Sequence, residues 1–121
     1  MKGYEIVFIM DPNLGEDGQK EIIDKAKSAY AESGGQISHE TDWGRRKLAY
    51  PVKKREYGIY HVLYGDRSPE AVKAVEAQFR FNDDVIKWQT IAVEDVEQEH
   101  AAFEKLRTEG SLSKQIADRG R

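Results

Sequence analysis

A single two-layer α+β domain, with a four-stranded antiparallel sheet and two helices on one face, is predicted by three features of the 121-residue sequence. Short apolar runs rich in β-formers alternate with helical-period stretches in the order strand, helix, strand, strand, helix, strand. The 39% hydrophobic content suits one core, enough for a chain of this length to bury roughly 60 to 70% of its unfolded surface without staples. Each strand-helix-strand unit crosses over with the right hand and leaves a gap that a strand of the other unit fills antiparallel, which puts the second strand on an edge.

The first strand is Tyr4-Glu5-Ile6-Val7-Phe8-Ile9-Met10, nearly continuous in apolar residues as a central strand requires, and Asp11-Pro12-Asn13 ends it. From about Glu16 to Ser33, Ile22, Ile23, Ala26, Ala29 and Tyr30 recur at helical spacing, with Glu21, Asp24, Lys25 and Lys27 between them on the solvent side. Gly34-Gly35 supplies the left-handed residue that terminates this helix.

Gln36 to Val52 reads as a long strand with Ile37, His39, Thr41 and Trp43 on one parity. Gly44 should interrupt it as a bulge, after which Leu48, Tyr50 and Val52 share a face with Arg46 while Arg45, Lys47 and Ala49 face the other way. Pro51 cannot donate a ladder hydrogen bond and belongs at the strand end or on an edge. Val52-Lys53-Lys54-Arg55-Glu56 is a basic hairpin tip, and Tyr57 to Tyr64 returns as the third strand.

Ser68-Pro69-Glu70 starts the second helix, with the serine accepting from a free amide, proline at the first helical position and a carboxylate at the positive helix end. Val72, Val75 and Phe79 form its buried stripe down to Arg80, Asn82-Asp83-Asp84 turns the chain, and Val85 to Val93 is the last strand. This is the order of a ferredoxin-like βαββαβ sandwich over residues 1–93. Residues 94–121 form a charged C-terminal extension, weakly helical where His100, Ala101, Ala102, Phe103 and Leu106 recur, or disordered.

Charge is distributed unevenly. Between Trp43 and Gly58 six basic residues face one acidic residue, a local net of +5 in a chain whose total is −3. Screening over about 8 to 10 Å lets a phosphate near this segment feel mainly that segment, so a mildly acidic chain can bind RNA locally. The competing use of such charge is to keep an edge strand from pairing with another chain. Trp43, Tyr50 and Tyr57 flank the charges and shift the balance toward a binding surface, because their rings can stack on bases or pack against a partner chain, although the same rings equally suit the core.

The chain has no cysteine, so neither disulfides nor thiolate metal sites arise. His39, His61 and His100 show no ligand spacing and read as surface or sheet-packed residues, and Asp83-Asp84 reads as a turn. The serines lack a nucleophile-elbow context, so no catalytic, metal or cofactor site is expected. Ile6 to Met10 is too short for a membrane span or signal-peptide core, and the chain reads as soluble and cytoplasmic. Arg55-Glu56-Tyr57-Gly58-Ile59-Tyr60-His61-Val62 agrees with an RNP1 motif only at Arg55, Tyr57 and Gly58, so an RRM is rejected.

Trp43-Gly44-Arg45-Arg46-Lys47-Leu48-Ala49-Tyr50-Pro51-Val52, followed by Lys54 and Gly58-Ile59-Tyr60, resembles the signature of the bacterial small-subunit ribosomal protein six family. Tyr4-Glu5 with Pro12-Asn13-Leu14 matches as well. The resemblance covers about residues 1 to 93, and the tail departs from it. It implies a non-enzymatic, ribosome-associated structural component without cofactor, membrane or small-molecule substrate. It further implies binding to the central domain of 16S ribosomal RNA together with ribosomal protein eighteen during assembly. Carried onto this chain, it assigns Trp43, Arg45, Arg46, Lys47, Tyr50, Lys53, Lys54 and Arg55 to RNA or partner contact, with Lys2, Arg80 and Lys87 as secondary candidates. The competing readings are a ferredoxin-like enzyme or small-molecule-binding module, and a sequence-tolerant single-strand binder with Tyr4, Phe8, Tyr57 and Tyr60 facing solvent.

Overall fold

The structure is a computed structural model, and it describes residues 1–109. Its elements run β1 (Gly3–Met10), α1 (Glu16–Glu32), β2 (Ile37–Val52), β3 (Arg55–Asp66), α2 (Pro69–Arg80), β4 (Val85–Val93) and α3 (Val96–Glu109). The four strands form one antiparallel sheet in the order β2-β3-β1-β4. This is the ferredoxin-like arrangement, with β2 on an edge as the crossover rule requires.

Alternation along β1 divides the core between the two faces of the sheet. Ile6, Phe8 and Met10 face α1 and α2, where Ile22, Ala26, Tyr30, Val72, Val75 and Phe79 close the main core. The Phe8 and Phe79 rings sit 4.7 Å apart at its centre. Burying each such side chain contributes about 1.5 to 3 kcal/mol, so this stripe-on-strand packing dominates the fold.

Helix α1 stops where the glycine pair predicted it would. Gly34 takes φ +88°, and the Gly35 N–H donates to the Tyr30 carbonyl at 3.0 Å, as in a Schellman end. Tyr30 is fully buried and its ring lies in a slot against Gly65, where an added Cβ would stand 2.6 Å from two ring carbons. The Tyr30 hydroxyl donates to the Asp66 carbonyl, which ties α1 to the end of β3. Burial raises the pKa of that phenol, in keeping with a donor held in the core.

The start of α2 corrects one expectation. Pro69 is at the first helical position, but Ser68 makes no side-chain cap. Its hydroxyl instead donates to Asp66 Oδ1 at 2.7 Å, a charge-assisted bond that orients the side chain toward the carboxylate.

On the opposite face Val7, Ile9, Trp43, Leu48, Tyr60, Val62, Tyr64 and Ile86 form a second cluster. Residues 96–109 cover part of it as α3, with Val96 and Phe103 buried. Phe103 lies 4.8 Å from Trp43 and His100 lies 4.9 Å from His39, while Thr41 Oγ1 donates to Glu104 Oε1 at 2.9 Å. The remainder of the predicted tail, 110–121, lies outside the described residues. Among the described residues no helix is long and apolar enough to cross a membrane.

Candidate nucleic-acid interface

The β2–β3 hairpin is longer than the sheet that supports it. The last β1–β3 pair toward the hairpin is Met10 with Ile59, whereas β2 and β3 continue to Lys47 opposite Tyr57 and Val52 opposite Arg55. Between those two pairs the register slips, so Leu48 to Pro51 face the single residue Glu56. Pro51 therefore sits in an edge-strand bulge, where its missing N–H costs nothing.

Gly44 breaks the alternation as the sequence predicts. It takes φ +71°, the register shifts between Asp42 and Gly44, and its N–H donates to Asp42 Oδ1 at 3.1 Å. Beyond it Arg45 pairs with Ile59, Arg46 with Gly58 and Lys47 with Tyr57. Cross-strand partners share a face, so Arg45 and Lys47 stand with Ile59 on the α1–α2 side. Arg46 shares the α3 side with buried Leu48.

The exposed basic groups of the hairpin are Arg45, Lys47, Lys53 and Lys54. The Arg45 guanidinium lies 4.8 Å over the Tyr57 ring, which is 38% exposed. That stack is a flat cationic surface at the end of the sheet, of the kind that meets phosphates and bases. At the tip Lys53 and Lys54 both have positive φ, 50° and 68°, in a two-residue turn. Each left-handed lysine costs about 1 to 2 kcal/mol relative to a residue without that clash.

Other expected contacts lie elsewhere. Trp43 is 4% exposed, stacked at 6.0 Å on Tyr60 and packed on Phe103, so its ring is core and not a stacking surface. Arg55 is tied inward: Nε and Nη2 donate to Asp11 Oδ2 at 2.8 and 2.7 Å, and Nη1 donates to the Lys53 carbonyl at 3.1 Å. Lys87 Nζ donates to the Tyr50 hydroxyl at 2.8 Å and lies 5.1 Å from that ring's centroid, a half-buried pair on the α3 side. Lys2 is at the opposite end of β1, 3.7 Å from Glu94, and takes no part in this end of the sheet. Arg80 is exposed at the end of α2, beside Phe81.

Phe81, which the sequence reading passed over, is 85% exposed. Its signal was available, since two residues after Phe79 falls off the buried stripe of a helix. A groove beside it is lined by Lys25, Ala74, Ala77, Gln78, Asn82 and Asp84.

The histidines are packed as expected. His61 is buried against Phe8, with Nε2 2.8 Å from Glu40 Oε2, and Glu40 Oε1 accepts from Lys27 Nζ at 2.9 Å. Burial opposes the charge on Glu40, but Lys27 and His61 together hold its pKa below the usual value. Among the described residues no group of three His, Asp or Glu side chains could hold a metal ion.

Asp11 couples the arm to the sheet. The Asn13 N–H is the main influence lowering its pKa; burial opposes it, and the Arg55 guanidinium adds to it. A carboxylate with a lowered folded pKa stabilises fully above its unfolded value, about 3.9, and loses that contribution as pH falls through the folded value. Asp11→Asn is therefore expected to cost about 2 kcal/mol at pH 7 and to flatten the stability profile below about pH 4, measured by denaturant titration between pH 2 and 7.

Comparison with known proteins places the sequence and the fold. Residues 3–92 match the family model Ribosomal protein S6. The chain is 34% identical over 95 residues to the small ribosomal subunit protein bS6 of Caldanaerobacter subterraneus subsp. tengcongensis, covering 78% of this chain and 100% of that one. It is 37% identical over 106 residues to the bS6 protein of Campylobacter hominis, covering 88% and 72%. The crystal structure of 30S ribosomal protein S6 from Thermotoga maritima superposes with a TM-score of 0.73 at 29% identity, over 85% of this chain and 97% of that one. By sequence and by fold the chain belongs to the ribosomal protein S6 family.

Proposed function

We propose that this chain binds the central domain of 16S ribosomal RNA together with ribosomal protein eighteen, through the end of its sheet that carries the β2–β3 arm. Membership of the family makes it a non-enzymatic structural constituent of the bacterial small ribosomal subunit, acting in translation. The observation that supports the RNA reading is the concentration of exposed Arg45, Lys47, Lys53 and Lys54 around the Arg45–Tyr57 stack on an arm that overhangs the sheet.

The arm carries charge on both faces, with Arg45 and Lys47 on one and Arg46 on the other. That division suits an RNA backbone on one side and a protein neighbour on the other. Four exposed cations on a chain of net charge −3 give binding that is weak alone and steeply salt-dependent. A protein partner then supplies the remaining affinity.

The single-strand reading is disfavoured by burial: Phe8 and Tyr60 are fully buried, leaving Tyr57 as the exposed aromatic of the four it requires in full. For Tyr60 burial pushes the phenol pKa up to about 12, as for a ring enclosed in the core.

Titration of a central-domain RNA fragment with the purified chain, alone and with protein eighteen, tests the proposal. The account expects weak binding alone and at least about a hundredfold tightening with the partner, a gain within the range that linked contacts supply. Equal affinity in the two titrations would contradict it.

A further inference from the structure

Lys53 and Lys54 occupy backbone that lysine avoids. They are the two non-glycine residues with positive φ among the described residues, and they are adjacent. A two-residue turn with φ positive at both positions matches the twist of a hairpin, but Asn-Gly fills it with far less strain than two lysines do. The tip thus gives up stability that a commoner pair would supply.

The surroundings hold that strain in place. Arg55 reaches from the Lys53 carbonyl, 3.1 Å from Nη1, back to Asp11 Oδ2, 2.8 Å from Nε. Asp11 is anchored in turn, since its Oδ1 accepts from the Asn13 N–H at 2.8 Å and its own N–H donates to the Asp84 carbonyl at 2.8 Å. A chain of hydrogen bonds therefore runs from the β1 and β4 ends of the sheet, through one guanidinium, to the outermost turn. Strained backbone that neighbouring groups over-determine is concentrated where ligands are met. Two ammonium groups on a turn already fixed in shape also lose less freedom on binding than two on a loose loop.

We infer that the Lys53–Lys54 turn is where this chain grips RNA phosphates, and that Arg55 is a positioning residue which holds the turn and does not itself contact phosphate. The inference rests on the RNA-binding reading above and deepens it. It reassigns Arg55, which charge alone groups with the lysines, to the support of the other two.

The test compares the full-length native chain with K53N/K54G, K53R/K54R, R55Q and the triple variant K53N/K54G/R55Q. Each is melted alone, then titrated onto a 16S central-domain fragment in the presence of protein eighteen over a series of salt concentrations. K53N/K54G is expected to melt about 4 °C higher, because the strain is relieved. It should nonetheless bind about tenfold more weakly, with a salt slope shallower by about 1.5, as two lost phosphate contacts require. K53R/K54R should keep the native slope.

R55Q should melt lower and bind more weakly. In the triple variant the melting loss should persist while binding falls no further than in K53N/K54G, because Arg55 acts on RNA through the two lysines. Native affinity and slope in K53N/K54G would overturn the inference alone. Additional binding loss from R55Q in the absence of the lysines would overturn the positioning role. Weakened binding of K53N/K54G to protein eighteen without RNA would move the turn to the protein interface and overturn the phosphate assignment. A native chain that fails to bind RNA with its partner present would overturn the proposed function itself.

Discussion

Removing four charges at once, as R45Q/K47Q/K53N/K54G, is expected to weaken the RNA complex by about a hundredfold or more near 0.1 M salt and to lower its salt slope by about 3. The reason is additive: each exposed cation that displaces a counterion contributes a little under one unit of slope, and these four are exposed at the hairpin end of the sheet, Arg45 on its last supported row and the three lysines on the overhang. The fold should be preserved, because none of the four is buried and the Asn-Gly pair suits the turn. Filter binding across salt concentrations, with circular dichroism as the control for folding, reads both quantities. A variant with native salt slope would show that the phosphates are met elsewhere, Arg46 and Arg80 being the first places to look.

A large effect on stability is expected at Gly65. A methyl group there would stand 2.6 Å from the Tyr30 ring carbons and 2.7 Å from its hydroxyl oxygen, so either the ring leaves its slot or β3 shifts. Tyr30 cannot move without giving up its bond to the Asp66 carbonyl and opening the core between α1 and the sheet. Gly65→Ala should therefore cost about 3 kcal/mol and lower Tm by about 10 °C. Tyr30→Phe, which removes the hydroxyl alone, should cost about 1 kcal/mol. Thermal melts of the two variants and of Tyr30→Leu with Gly65→Ala separate the clash from the lost bond, since the smaller side chain should recover part of the Gly65→Ala loss.

The strand and helix order was legible because each element carries its own period, and Gly44 announced its bulge by a change of parity on either side. The opposed faces of Arg45 and Arg46 followed from that alternation and hold in the cross-strand pairing. Arg55 was not legible as a brace. Its partner Asp11 lies 44 residues away and meets it only because β1 and β3 are neighbours, a juxtaposition set by tertiary register. Trp43, assigned to RNA or partner contact from its place among the basic residues, is core instead, and the residue that closes over it is Phe103, some sixty positions later, in a segment whose charge hides its two buried positions. Ser68 failed for a local reason: its hydroxyl is oriented to donate to Asp66, and a residue-type rule for caps does not include the neighbouring carboxylate. Lys53 and Lys54 show the converse, since composition marks them as exposed charge while only the backbone reveals that they are held under strain.

The most direct test of the account is sedimentation of the tagged full-length chain from bacterial lysate at increasing salt, native beside R45Q/K47Q/K53N/K54G. The account predicts that the native chain travels with small subunits and that the four-charge variant is released to the free fraction at markedly lower salt. Recovery of the native chain in the free fraction at low salt, or co-release of both chains at the same salt, would contradict it.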